Sequence, residues 1–486
     1  MVQPPSLLWF RRDLRLTNNP ALQAALRDGK PIMPVFILDE ESDGHRRLGR
    51  ASRWWLGQSL TELDTAIAQL GGRLILRTGP TLATLRELVL ETGACMIHFN
   101  RRYDPPGSNL DRQIIEALRG DGLAVEDHAP NYLHEPWQLQ TNQGDFCKVF
   151  TPFWRRLSQH VGPPATHRAP RAPHAWPACE NWPSSGAIEH FQYKPAWTEN
   201  FAHHWQPGEA GARHRLQHFL EDGIDDYPSK RDYPAIEGTS RLSPHLAWGE
   251  ISVHEAWHSA EPAKCSGAVA FRRELAWRDF NMHLYFHYPD LLRQPWRENF
   301  RKFPFRKSAA MLKAWQQGRT GFPLVDAAMR ELWQTGWMHN RMRMVTASFL
   351  IKDQLIDWQQ GETWFWDTLV DADPAQNGAN WQWVAGCGFD AAPFFRIFNP
   401  VIQSVKFDPQ GDYIRRWIPE LAALSAKEIH QPWAVPEDRL AATNIQLDRT
   451  YPRPILDHAK ARQTALAAFR QVSGRSSDAA EPDLFS

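Results

Sequence analysis

Ser6-Leu-Leu-Trp-Phe10 and Pro34-Val-Phe-Ile-Leu38 are short, uncharged apolar runs. Their length suits buried strands better than helices. Between them, Pro20 to Leu26 carries a helical pattern. Arg73-Leu-Ile-Leu76 and Met96-Ile-His-Phe99 read as two further strands, with helical patterns over Ala51 to Leu70 and Leu82 to Thr92. Strand–helix alternation at this spacing predicts an α/β domain over residues 1–130, with a parallel, Rossmann-like sheet covered by helices. Ligands of such sheets sit beyond the carboxyl ends of the strands.

The pattern then changes. Gly162 to Pro183 holds six prolines and little periodicity, and reads as the middle of an interdomain connector spanning 131–207. From Gly208 onward helical patterns dominate: His214 to Glu221, Ala268 to Phe286, Leu324 to Gln334, Trp337 to Gln354 and Gly361 to Thr368. Residues 208–470 are therefore expected to form a large all-α domain. The polar tail, 471–486, is expected to be disordered.

A chain of 486 residues has room for two or three domains. With 42% hydrophobic and 23% charged residues it reads as soluble and globular. No apolar run approaches the roughly 20 residues that cross a bilayer. Met1-Val-Gln-Pro-Pro5 lacks the basic start of a secretory signal, so the expected location is the cytoplasm. The five cysteines are scattered with no C-x-x-C pair, which argues against a disulfide framework and against a zinc site. Net charge is zero, yet residues 297–343 carry ten Arg or Lys against Glu298, Asp326 and Glu331. That local excess suits either a phosphate backbone or an ordinary solvated surface.

Four segments carry candidate chemistry. Glu274, Trp277 and Arg278 share a helix face at i, i+3 and i+4. They make a site, or an exposed Glu–Arg pair beside a packed tryptophan. Asn340, Arg343 and Met344 repeat the arrangement, with Arg341 turned elsewhere toward a possible phosphate; an amphipathic helix with an Arg-rich wet face fits as well. Asp371-Ala-Asp373-Pro-Ala-Gln-Asn377-Gly-Ala-Asn-Trp381-Gln-Trp383 is predicted to be irregular chain because of Pro374 and Gly378. Its polar groups need partners if buried, from a ligand or, in a solvated loop, from water. Thr239-Ser240-Arg241-Leu242-Ser243 offers hydroxyls and N–H groups at a helix entrance, suited to phosphate binding or to plain capping. No G-x-G-x-x-G, P-loop, H-E-x-x-H or G-x-S-x-G is present, so neither a zinc hydrolase nor a serine nucleophile has sequence support, and no metal is expected.

Together these segments resemble the photolyase/cryptochrome family. The matching motifs are Trp9-Phe-Arg-Arg-Asp-Leu-Arg-Leu16 with Asn19-Pro-Ala-Leu22, and Glu237-Gly-Thr-Ser-Arg-Leu-Ser-Pro-His245. Gly321-Phe-Pro-Leu-Val-Asp-Ala-Ala-Met329, Trp337-Met-His-Asn-Arg-Met-Arg-Met344, Trp381-Gln-Trp383 and Phe395-Arg-Ile-Phe-Asn-Pro400 complete the set, in family order over nearly the whole chain. The resemblance implies an antenna domain followed by a helical domain that holds FAD. It implies that Tyr227 and Thr239 to Ser243 contact FAD, the latter around its phosphates, and that Arg278 approaches the diphosphate. Asn340, Asp371 and Asp373 would line the flavin, Arg343 would pair with Asp371, and Asn377 would face the flavin N5, where plant cryptochromes carry Asp.

The same resemblance implies light-driven repair of cyclobutane pyrimidine dimers in DNA, a carbon–carbon lyase reaction started by an electron from excited reduced FAD. The dimer would be flipped from its strand, as base-flipping enzymes do, photolyases among them. Asn340 and Met344 stand where (6-4) photolyases resemble histidines, so they fit the dimer enzymes. Glu274 would hydrogen-bond the dimer, and Trp277 and Trp383 would wall it. Arg231, Arg341 and Arg396 would bind DNA. Trp381 and Trp358 match the two inner members of a tryptophan photoreduction chain, but Phe305 occupies the outer position, with Trp364 and Trp366 as possible substitutes. Gly49 to Leu56 and Asn100 to Asp104 look like antenna-pocket segments; methenyltetrahydrofolate is favoured there over 8-hydroxy-deazaflavin. The expected protein is a monomer acting on nucleoid DNA. The alternatives are a cryptochrome-type photoreceptor without repair activity and a (6-4) photolyase.

Overall fold

The computed structural model describes residues 3–42, 44, 46–129, 131–160, 176, 179, 182–391 and 395–473. Five parallel strands form one sheet: β1 (Ser6–Phe10), β2 (Ile32–Leu38), β3 (Ile75–Thr78), β4 (Met96–Asn100) and β5 (Ala124–His128), in the order β3-β2-β1-β4-β5. β1 is central and buried throughout, which explains its uninterrupted apolar sequence. Its alternate residues feed two cores. Leu8 and Phe10 pack with Leu22, Trp55 and Ile67 on one face. Leu7 and Trp9 pack with Leu85, Leu88, Ile114 and Leu118 on the other.

The expected α/β class is therefore observed, with four of its strands where the apolar runs lie. The fifth strand and the preceding helix, Pro105–Gly120, carry weaker signals. β5 is Ala-Val-Glu-Asp-His, a charged edge strand of the kind that resists pairing with other chains. The helix opens with two prolines at its first turn, where a missing N–H costs nothing, and Asp104 caps it by accepting from Gly107 N at 3.1 Å.

Beyond the sheet the described regular elements are helices, apart from two isolated bridges, Gln140–Phe146 and Leu447–Tyr451. Ser266–His287 is the helix that carries Glu274, Trp277 and Arg278. The pattern over Trp337 to Gln354 resolves into a helix at Asn340–Ser348 and a wider turn at Phe349–Asp353. The helix begins late because the His339 side chain caps it, accepting from Arg341 N at 3.2 Å.

One expectation is overturned. Pro374–Ala385 is an α-helix, not irregular chain. Pro374 occupies the first turn, and Asp373 caps the start by accepting from Gln376 N at 3.0 Å. Gly378 is there for packing: a Cβ on it would lie 2.4 Å from Leu292 Cδ2.

The two halves meet along residues 46–50 and the helix Trp358–Thr368. Arg46 forms a forked pair with Glu362 at 2.6 and 3.0 Å. Arg50 pairs with Asp367 at 2.5 and 2.8 Å, and its backbone N–H also donates to that carboxylate. At Gly49 a Cβ would sit 2.0 Å from the Trp366 carbonyl oxygen, so only glycine permits this approach. Among the described residues no helix is long and apolar enough to cross a membrane. Most of the proline-rich part of the expected connector, and residues 474–486 of the expected tail, lie outside the described residues; the last helix, His458–Ser473, reaches residue 473.

Candidate active site

A cavity of about 1140 Å³ opens where the sheet meets the helices. Its floor is made by chain leaving the carboxyl ends of β1, β2 and β4: Arg11 to Asp13, Asp39 and Asn100 to Asp104. The strand order reverses between β1 and β4, and the crevice outside such a reversal is where open α/β sheets bind ligands. Asn100 to Asp104, all of one segment expected near an antenna, line it, whereas Gly49 to Leu56 contributes only Leu56. From the helical half, Arg278, Glu362, Trp366 and Asp373 close it.

Glu362 joins this cavity to the next group of side chains. The Asn377 amide donates to the Glu362 carbonyl at 2.9 Å and to its carboxylate at 2.8 Å. Both partners are acceptors, so the amide is fixed with its N–H₂ toward Glu362 and its oxygen left as an acceptor for something else. Asp371 is buried and gripped by both ends of the Arg343 guanidinium, at 3.1 and 2.7 Å. Arg343 also donates to the Met338 carbonyl, which locks its direction.

Arg343 and Arg241 share the Trp337 ring, at 5.9 and 4.8 Å, and the Trp337 indole donates to Ser243 Oγ at 3.1 Å. Arg241 has φ 51°, uncommon for a side-chain-bearing residue. Leu242 follows in the right-handed region, φ −81° and ψ −7°. Successive residues of opposite hand turn consecutive N–H groups inward and make an anion-binding nest. With the Arg241 guanidinium and the hydroxyls of Thr239, Ser240 and Ser243 alongside, these residues fit a diphosphate. Arg278, by contrast, spends two donors on the Asn131 and Leu246 carbonyls, at 2.8 and 3.2 Å, and covers the Tyr132 ring.

A second group forms a rim. Glu274 does not pair with Arg278, four residues on; it accepts from Arg231 at 2.6 Å, and about a third of its side chain stays exposed. Arg231 lies over the Tyr227 ring. The neighbouring Asp232 pairs with Arg341 at 2.8 Å, and Arg341 reaches the Met344 sulfur at 3.9 Å. Burial lowers the Arg396 pKa, and the nearby Arg341 lowers it further, which puts the two guanidiniums within electrostatic reach of each other. Burial also holds His339 at about 4, which keeps its capping nitrogen unprotonated. Part of the basic excess of residues 297–343 is thus consumed by Asp371, Asp232 and, at Arg330, by Glu420. Asn340 is exposed at the helix start.

Trp277 lies flat on Phe150 with centroids 3.8 Å apart, and lines a small recess with Trp383, Asn380 and Phe389. Trp381 is buried against Phe365 and Trp315, and Gly361 makes room for it: a Cβ there would be 2.1 Å from the ring. Trp358 is buried at the head of the helix Trp358–Thr368, which also carries Gly361. Phe305 is half-buried beside Phe303. Trp364 stacks on Trp333 and Trp333 on Trp197, a run of three indoles ending near the surface, whereas Trp366 lines the large cavity. Glu362, Arg46 and Asp232 escaped the sequence reading. None belongs to a motif, and their partners lie far away in the chain.

Comparison with known proteins identifies the family. Residues 6–174 match the family model described as DNA photolyase, and residues 271–471 the one described as FAD binding domain of DNA photolyase. A deoxyribodipyrimidine photo-lyase from Agrobacterium fabrum is 48% identical over 96% of this chain and 98% of its own length. Cryptochrome-1 of Arabidopsis thaliana is 37% identical over 98% of this chain and 72% of its own. The crystal structure of a class III photolyase from Agrobacterium tumefaciens superposes with a TM-score of 0.93 at 46% identity, covering 98% of this chain and 99% of that one.

Proposed function

The chain belongs to the DNA photolyase and cryptochrome family, and on that basis we propose that it repairs cyclobutane pyrimidine dimers in DNA by light-driven electron transfer. The observation that carries this reading is the anchored Glu274 carboxylate, held by Arg231 and still partly open to an incoming ligand. Asn340 and Met344 supply no imidazole at either position to serve (6-4) chemistry.

FAD, when bound and reduced, supplies the electron and takes it back. The residues present fit that group. The Arg241–Leu242 nest, Ser243 and Arg241 suit its diphosphate, Tyr227 and Asn340 flank it, and Arg343 with Asp371 gives a fixed charge pair beside the ring system. The free oxygen of Asn377 suits an N–H at flavin N5, and Glu362 holds it in that sense. Trp277 and Trp383 provide aromatic walls for the flipped dimer. Glu274 accepts hydrogen bonds from the pyrimidines. Arg341 and Arg396 meet the phosphates on either side, where positive charge gives affinity without reading sequence. The large cavity is the antenna site, with methenyltetrahydrofolate as its ligand.

The test is to illuminate the reduced, FAD-loaded protein with a dimer-containing oligonucleotide and to follow the recovery of pyrimidine absorbance. Recovery that needs light supports the proposal. Flavin photochemistry without recovery would instead make the protein a photoreceptor.

A further inference from the structure

The edge of the sheet opposite β3 holds a cluster that the photochemistry does not use. β4 and β5 run parallel with His98 opposite Glu126 and Asn100 opposite His128. Residues two apart on a strand share a face, so His98, Glu126 and His128 project together. His98 Nδ1 lies 3.3 Å from His128 Nε2. The Glu126 carboxylate oxygen lies 3.7 Å from the first nitrogen and 4.0 Å from the second.

From this arrangement we propose that His98, His128 and Glu126 form a divalent-metal site that takes Zn²⁺ and fastens edge strand β5 to β4. The point in the plane of the three atoms that is equidistant from them lies about 2.1 Å from each, and a tetrahedral ion raised above that plane lies a little farther off, so the three ligands need close by only about 0.1–0.3 Å to reach Zn–N and Zn–O bond lengths. Two imidazoles and one carboxylate are a common zinc ligand set, with water in the fourth place. Glu126 is half exposed, so water and the ion can reach the site from solvent.

The outer partner is also in place. His98 is wholly buried, and its other nitrogen meets Asp28 Oδ2 at 2.9 Å. Asp28 is the cap at the end of the helix Pro20–Arg27, which packs on β4. A carboxylate on the far nitrogen fixes the ring so that the near nitrogen has a lone pair to give, which is how metal-binding histidines are normally held. A direct imidazole–imidazole hydrogen bond would explain the 3.3 Å distance alone. It would not call for the carboxylate of Glu126 to converge on the same two nitrogens.

The absence of a C-x-x-C or H-E-x-x-H pattern does not count against the site, because the three ligands are brought together by strand register. The ion would tie β5 to β4, with an open water position, and would lie apart from the flavin-associated residues.

The test uses the full-length, FAD-loaded protein, stripped with a chelator and titrated with Zn²⁺ by calorimetry. We expect one equivalent bound with a Kd at or below about 10 µM. Binding should weaken at least about tenfold in His128→Ala and in Glu126→Gln, the latter a half-exposed change that spares the fold, and by roughly 10–100-fold in Asp28→Asn. No binding to the wild type, or unaltered binding in either His128→Ala or Glu126→Gln, would overturn the site.

Discussion

The Asn377 amide gives both of its hydrogens to Glu362, one to the carbonyl and one to the carboxylate. An amide held this way presents only its oxygen, so it favours a ligand that carries a proton at the facing atom. Glu362→Gln keeps the shape and the backbone carbonyl but can turn its own N–H₂ toward Asn377, which weakens the bias. We expect FAD to stay bound and its reduced form to lose about one hydrogen bond, roughly 0.5–1.5 kcal/mol, or on the order of 20–60 mV in a one-electron potential. Spectroelectrochemical titration of both proteins checks this; an unchanged potential refutes it.

Glu274 is tied to Arg231 and leaves one side open. Glu274→Ala should cut dimer repair by roughly tenfold, the loss of one charge-assisted hydrogen bond, while the flavin absorbance is retained. Repair assays alongside flavin stoichiometry separate the outcomes. Loss of FAD from the variant would mean that the carboxylate serves the cofactor and not the lesion.

Phe305 occupies the place where the family's outer tryptophan is expected, and phenylalanine carries a hole poorly. Phe305→Trp should speed photoreduction of oxidised flavin by an external thiol, and Trp381→Phe should slow it sharply. Neither should alter repair by protein reduced chemically beforehand. Time-resolved absorption under blue light measures both. Equal rates in the wild type and Phe305→Trp would mean that electrons reach the flavin by another route, for which the Trp364–Trp333–Trp197 stack is the visible candidate.

His283 is wholly buried, and its ring accepts from Cys147 N at 3.2 Å. Burial, with His134 and His287 nearby, lowers its pKa to about 3. The unfolded chain binds this proton near pH 6.5 and the folded chain does not, so the contribution is complete above pH 6.5 and is lost as the pH falls toward 3. At pH 5 the loss reaches up to about 2 kcal/mol. Thermal unfolding from pH 7 to 5 should therefore fall more steeply for the wild type than for His283→Gln, and parallel curves would contradict this.

Much of this was legible in advance because it is local. The apolar runs marked four strands, helical spacing singled out Glu274, the motif at 337–344 held Arg343, and the polar segment at 371–383 held Asp371. Pro374 and Gly378 misled because each reads as a breaker out of context. Pro374 is harmless once Asp373 caps the helix, and Gly378 answers to Leu292, 86 positions away. β5 lacked an apolar run because it lies at an edge. Glu362 and Arg46 could not be found at all from spacing: their pairing depends on how two separate units dock, which no periodicity encodes.

That docking limits how the protein can be recombined. Cutting in the proline-rich stretch and grafting a relative's amino-terminal half would separate Arg46 from Glu362 and Arg50 from Asp367, and any side chain in place of Gly49 would strike the Trp366 carbonyl. A hybrid would keep Asn377 correctly aimed only if residues 46–50 and 358–368 were inherited from one parent. The unit of exchange between such sequences is therefore this seam, and not either of the folds that it joins.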